Sequence, residues 1–211
     1  MIQRACIKTC FFLIFYTAIF SEFIDLARAS TKAESALVVS RIIDGDTFEL
    51  SGGIHVRLIG VDTPEKNEPF YREARILAES LLLGKQVVLE FDKEPEDRYG
   101  RRLAYLRFDT LFYNEYIVKR GLAYVYLFKN SLKHAGKLIN AQKYARNQKA
   151  GLWSLEDFEP EPYYVSIKGS YRFHRPLCRA IKDAKKSKII KIDSRNAAFD
   201  KGLSPCRQCR P

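Results

Sequence analysis

A chain of 211 residues, 46% hydrophobic and 29% charged, has the size of one medium domain or of one domain with an appendage. Its composition is that of a folded soluble protein, and after the first thirty residues no apolar run approaches the length that spans a bilayer. The net charge of +11 is uneven: residues 30–158 carry 20 basic and 18 acidic side chains, whereas residues 159–211 carry 13 and 5. The net +8 of the last part serves solubility or, more sharply read, attracts a polyanion such as nucleic acid.

Residues 1–29 have the layout of a secretory signal peptide. Arg4 and Lys8 precede an apolar run of eleven, Cys10 to Phe20, and Ala27-Arg28-Ala29 is an A-x-A cleavage site. Eleven residues are too few to span, so the expectation is cleavage after Ala29 and export to the periplasm or medium, with no membrane insertion. Cys6 and Cys10 leave with the leader. Cys178, Cys206 and Cys209 remain, and three cysteines cannot all pair within one chain.

Residues 36–43 are β-branched and apolar, which predicts a strand. Two more follow, 46–51 and 54–61, around Ser51-Gly52-Gly53. A two-residue turn there would set Phe48 opposite Arg57 and mix the buried and polar faces. A three-residue loop pairs Phe48 with Val56 and Leu50 with Ile54, and puts Phe48, Leu50, Val56 and Leu58 on one face. From Glu68 to Leu83 the apolar spacing turns helical, with Pro69 in the first turn and Gly84 as the stop. Residues 86–91 and 102–108 read as strands, 112–120 as a short helix before Gly121, and 132–149 as a longer basic helix before Gly151. Five short strands with an inserted helix fit an α+β fold: a five-stranded OB barrel with three helices over residues 30–158. Glu159-Pro-Glu-Pro (159–162) reads as a stiff linker. Residues 163–211 follow as a small basic appendage. Its expected core is Phe173, Leu177, Ile181, Ile189, Ile190, Ile192, Phe199 and Leu203, too little to hold about fifty residues without a clip.

Acidic residues gather at one end of the first hairpin. The chosen register sets Asp46 opposite Leu58, and Asp62 follows four residues later. Pro64 biases Thr63 toward an extended backbone, which fixes its carbonyl. Asp46, Asp62 and the Thr63 carbonyl form a hard oxygen set suited to Ca²⁺ and, less strictly, to Mg²⁺. Turn-capping aspartates are the plainer reading. Glu65 and the arginines Arg57 and Arg101 weigh against it, because metal, glutamate base and arginine forks together are the requirements of phosphodiester hydrolysis.

The motifs IDGDT, VRLIGVDTPE, DRYGR, NEYIVKRGLA and AGLWS, in this order over residues 36–155, resemble the thermonuclease family. The resemblance implies an OB-fold, Ca²⁺-dependent nuclease that cleaves DNA and RNA to leave 3′-phosphates. It implies Asp46, Asp62 and Thr63 as metal ligands, Glu65 as general base, Arg57 and Arg101 as phosphate clamps, and Asp44 as an acid near the metal. Tyr99, Tyr124 and Tyr126 are candidates for stacking on bases. The stretch after Gly121 departs from the family pattern, and Phe128 is an alternative to the latter two tyrosines. A monomer is expected.

In the tail, His174-x₃-Cys178 and Cys206-x₂-Cys209 offer four ligands suited to tetrahedral Zn²⁺. The stretch resembles the small metal-binding domain of the repair protein Ada, with His at one ligand position. In an oxidising compartment a Cys206–Cys209 disulfide is the competing outcome. Two other function classes stand beside the nuclease: a non-catalytic nucleic-acid-binding OB module of the envelope, and an envelope protein whose basic tail binds anionic polymer. A silent copy should lack one of the acidic or arginine positions, and this chain has them all.

Overall fold

The computed structural model of the protein describes residues 37–128, 133–155 and 159–211, and the leader expected over residues 1–29 lies outside them. β1 (Val39–Ile42), β2 (Thr47–Leu50) and β3 (Ile54–Leu58) form an antiparallel meander. Phe48 faces Val56 and Leu50 faces Ile54, the register that a three-residue loop requires. Gly52 and Gly53 turn the chain at φ 84° and 77°. Phe48, Leu50, Val56 and Leu58 are all buried, so the shared face is the core face.

β3 pairs in parallel with β6 (Arg102–Phe108), which pairs antiparallel with β5 (Val88–Glu96) and with the short β7 (Leu111–Phe112). The two ends of this path meet. Val39 N–H donates to Lys85 O at 3.0 Å and Val87 N–H to Leu37 O at 2.8 Å, so the sheet returns on itself as a barrel. α1 (Tyr71–Leu82) lays Ala74, Ala78 and Leu82 against its core.

Three expected boundaries move. The strand expected over 54–61 breaks at Ile59. Gly60 (φ 78°) redirects the chain, and β4 (Gly60–Asp62) leaves the barrel sheet to pair with β8 (Tyr124–Tyr126). Asn114 fixes this break, accepting from Leu106 N–H at 2.9 Å and donating to Ile59 O at 2.8 Å. The first helix starts at Tyr71 rather than Glu68, because residues 65–70 are tied into turns with Asn67 and Phe70 at positive φ. The strand expected over 86–91 runs on to Glu96.

α2 (Tyr113–Lys119) and α3 (Ala135–Asn147) lie within their predicted spans. Gly121 brings two distant motifs together: a Cβ there would lie 2.0 Å from Ala150 O, and Gly121 O accepts Leu152 N–H at 2.8 Å. Only a glycine permits that approach.

The tail is a four-stranded sheet in the order β11 (Ile189–Ile192), β9 (Tyr164–Ile167), β10 (Arg172–His174), β12 (Ser204–Pro205), with α4 (Arg195–Asp200) beside it. Its core differs from the expected one. Phe173, Ile181, Ile192 and Phe199 are buried, but Leu177 is 96% exposed, and Ile189 and Ile190 are exposed on the edge strand β11. Tyr164, Val165 and Ala198 are buried as well. Nor is the core self-contained. Phe199 stacks on Tyr124 at 5.8 Å and meets Trp153 edge-on at 4.7 Å, so aromatic packing continues into the nuclease-like part. Buried Gln142 on α3 accepts from Val125 N–H and donates to Phe199 O, linking β8 to α4. Residues 37–211 form one compact unit. Among the described residues no helix is long and apolar enough to cross a membrane.

Candidate active site and metal cluster

A cleft of about 730 Å³ gathers Asp44, Asp46, Arg57, Asp62, Thr63, Glu65, Tyr99, Arg101 and Tyr126. Asp46 sits where β2 begins, in a turn whose Gly45 leaves no room for a side chain: a Cβ would lie 2.9 Å from both Ala74 Cβ and Thr63 Cγ2. Tyr113 Oη donates to Gly45 O at 3.1 Å and pins the turn from behind. Asp44 Oδ1 accepts the Asp46 N–H at 3.0 Å. Asp46 Oδ2 accepts Thr63 N–H at 2.7 Å, so the two chain segments that bear the oxygen donors are tied directly. Asp62 ends β4, buried like Asp46.

Arg57 lies between the two carboxylates. Its Nη1 is 3.1 Å from Asp46 Oδ2 and its Nη2 3.6 Å from Asp62 Oδ1, while Nη1 also donates to Leu58 O and Val61 O. Burial pushes the Asp46 carboxyl up to about 6; Arg57 opposes the shift, and Asp44 and Asp62 add to it. Asp44 and Asp62 thus crowd Asp46 with like charge, which Arg57 balances in part. Two buried carboxylates and a main-chain carbonyl are an all-oxygen donor set, which fits Ca²⁺.

Arg101 is held in its turn by Asp97, whose carboxylate accepts from Arg101 Nε at 2.8 Å and from the Arg101 and Tyr99 main-chain N–H groups. Burial works to raise the Asp97 pKa, but these bonds outweigh it and hold the carboxyl below its usual range. Tyr99 is exposed beneath the Arg98 and Arg101 guanidinium groups, at 4.8 and 5.6 Å. Tyr126 and Phe128 also line the cleft. Tyr124 does not: its ring is spent on Trp153 and Phe199.

The family profile described as Staphylococcal nuclease homologue matches residues 55–155. A thermonuclease of Staphylococcus hyicus is 36% identical over 137 residues, 61% of this chain and 81% of that protein. The thermonuclease of Staphylococcus intermedius is 36% identical over 131 residues, covering 58% and 77%. An uncharacterized endonuclease of Escherichia coli O157:H7 is 35% identical over 131 residues, covering 60% and 81%. The chain belongs to the staphylococcal nuclease family.

This nuclease-family chain carries its tail beyond the matched segment, and the tail reaches back to the cleft. Arg207 Nη2 donates to Asp62 Oδ1 at 2.6 Å, and Nη1 pairs with Glu65 Oε1. Arg172 Nη2 and Ser204 Oγ donate to Asp62 Oδ2 at 3.1 and 3.3 Å. Sequence reasoning missed all three. The available signal was slight: Arg207 stands inside the C-x-x-C pair and Arg172 two residues before His174.

His174, Cys178, Cys206 and Cys209 do converge. Their ligand atoms all lie within 4.8 Å of one another, and the three cysteines are free thiols. Cys178 Sγ and Cys206 Sγ are 4.0 Å apart. His174 Nδ1 is buried with no hydrogen-bond partner, and Arg175 N–H donates to Cys209 Sγ at 3.3 Å. Burial pushes the Cys209 thiol up to about 12 and the His174 imidazole down. A coordinated cation reverses the first tendency by stabilising the thiolate.

Proposed function

We propose that the protein is an exported nuclease that hydrolyses phosphodiester bonds of DNA and RNA and leaves 3′-phosphate ends. Asp46, Asp62 and the Thr63 carbonyl would hold Ca²⁺. When bound, the ion neutralises charge on the scissile phosphate. Glu65 takes a proton from the attacking water, a role open to an exposed carboxylate at the cleft just past Pro64. Arg57 and Arg101 donate to phosphate oxygens and stabilise the charge of the five-coordinate transition state. Tyr99, exposed at the cleft, offers a ring to bases without regard to sequence, whereas Tyr126 lies under the Arg172 guanidinium at 4.7 Å and would stack on a base only once Arg172 moves. The observation that carries this reading is the convergence of the two aspartates, the Thr63 carbonyl, Glu65 and both arginines on one cleft.

Digestion of plasmid and RNA with Ca²⁺, Mg²⁺ or chelator tests it. Cleavage that needs Ca²⁺ and yields phosphatase-sensitive 3′ ends is expected. Tight binding without cleavage would sink the reading in favour of a silent binding module. The signal-like leader supports export, and recovery of chains beginning at Ser30 outside the cytoplasm is the matching result.

In the tail, the four converging soft ligands and the orphaned His174 nitrogen support a structural Zn²⁺. Metal analysis of protein purified without added metal should find one zinc per chain. Three reactive thiols and no zinc would remove it.

A further inference from the structure

We propose that Arg207 is a tethered counter-cation that competes with the divalent cation for its own ligands, so that the Cys/His module lowers the metal affinity of the nuclease cleft. The proposal rests on the reading of Asp62, Thr63 and Glu65 given above.

Arg207 takes three acceptors at once: Asp62 Oδ1 at 2.6 Å, the Thr63 carbonyl at 3.4 Å, and Glu65 Oε1. The first two are the oxygens a cation would need from this strand end, and the third is the carboxylate assigned to water. Arg172 occupies the other Asp62 oxygen. A guanidinium in hydrogen-bond contact with a ligand oxygen and a divalent ion at the same oxygen repel each other at short range, and in a buried setting that repulsion is poorly screened. Holding both at these oxygens is therefore costly, and the guanidinium weakens binding of the ion.

The arginine is presented by a braced loop rather than by a free side chain on a flexible end. Cys206 and Cys209 flank it within the ligand cluster, Cys206 N–H donates to Phe173 O at 2.9 Å, and Arg210 N–H to Cys206 O at 2.9 Å. Arg172 is braced likewise, donating to Ser204 Oγ and Pro205 O. Exposed ion pairs contribute little. Asp62, however, is only 5% exposed, and the Arg207 fork spans two carboxylates. The tail therefore supplies part of the positive charge that balances the cleft carboxylates, which leaves less attraction for a metal ion.

Calorimetric measurement of Ca²⁺ binding to the full chain tests this without relying on turnover. Arg207→Ala should bind Ca²⁺ about tenfold more tightly than the parent, within the usual range for coupled sites. Arg207→Lys should fall between, because one ammonium cannot bridge both carboxylates. Retention of the tail metal in each variant verifies that the module is intact. Unchanged or weaker Ca²⁺ binding in Arg207→Ala would overturn the proposal, and a lower cleavage rate besides would make Arg207 a phosphate clamp. Tighter binding with no cleavage by any variant would instead leave the competition standing and remove the nuclease reading.

Discussion

The barrel cleft and the tail cluster differ in ligand chemistry, in burial and in what balances their charge. In the cleft, Asp46 and Asp62 are buried carboxylates, the proposed hard-oxygen ligands, beside a wide opening, and arginines balance them. In the tail, His174, Cys178 and Cys206 are buried, Cys209 is partly exposed, and the His174 Nδ1 is left without a partner. The first arrangement suits an ion that exchanges with solvent and meets substrate. The second suits an ion that stays and holds the chain together. A dependence on Ca²⁺ should therefore appear in rate, and a dependence on the tail metal in stability.

Removing the proposed tail zinc should give the largest effect. Small Cys/His sites contribute on the order of 10 kcal/mol to folding, so a strong chelator should lower the melting temperature sharply, read by circular dichroism. The packing of Phe199 on Tyr124 and Trp153 predicts that the shared core outlasts the cluster around Cys178 and Ile181. Equal melting with and without chelator would erase the contrast between the two sites.

Glu65→Gln comes next. Loss of the proposed general base should reduce kcat by about 10²–10⁴ with substrate binding kept. Near-parental turnover in single-turnover assays would strip Glu65 of its role. Phe199→Ala tests the junction between the regions and should cost about 3–5 kcal/mol in denaturant unfolding, more than expected of a separate appendage. Arg57→Lys should depress the rate at saturating Ca²⁺, since an ammonium cannot make the paired contact with phosphate. An unchanged rate would confine Arg57 to its bonds with Leu58 O, Val61 O and Asp46.

The smallest effect lies away from both sites. A hydrogen bond from Lys133, aided by His134, brings the Glu90 carboxyl down to about 2, against the burial that would raise it. A depressed folded-state pKa means stability that is present above the ordinary pKa of 4.5 and is lost as pH falls toward 2. Glu90→Gln should flatten the acid limb of the stability curve in that window, read by thermal melts across pH.

Much of the barrel was legible because its signals are local. The Ser51–Gly53 loop and the apolar alternation around it fix the Phe48–Val56 register, since any slip by one residue would expose the core face. The candidate cleft residues were legible by chemistry: two aspartates, a glutamate and arginines line one cleft. Tyr124 was not, because an aromatic that stacks on a base and one that packs on Phe199 look alike in sequence. The break at Ile59 also escaped, since it depends on Asn114 reaching a carbonyl 55 residues away in the chain.

By itself the sequence determined the barrel class, the hairpin register and the two sets of candidate ligands, because each depends on spacing within a short segment or on residue chemistry alone. Only the tertiary structure decided that Leu177 faces solvent, that Phe199 completes a shared core, and that Arg207 and Arg172 rest on Asp62. Those contacts join residues more than a hundred positions apart in the last case, where neither periodicity nor composition carries information. Their energy depends on burial and on the direction of a guanidinium fork, and both exist only once the tail has packed against the barrel.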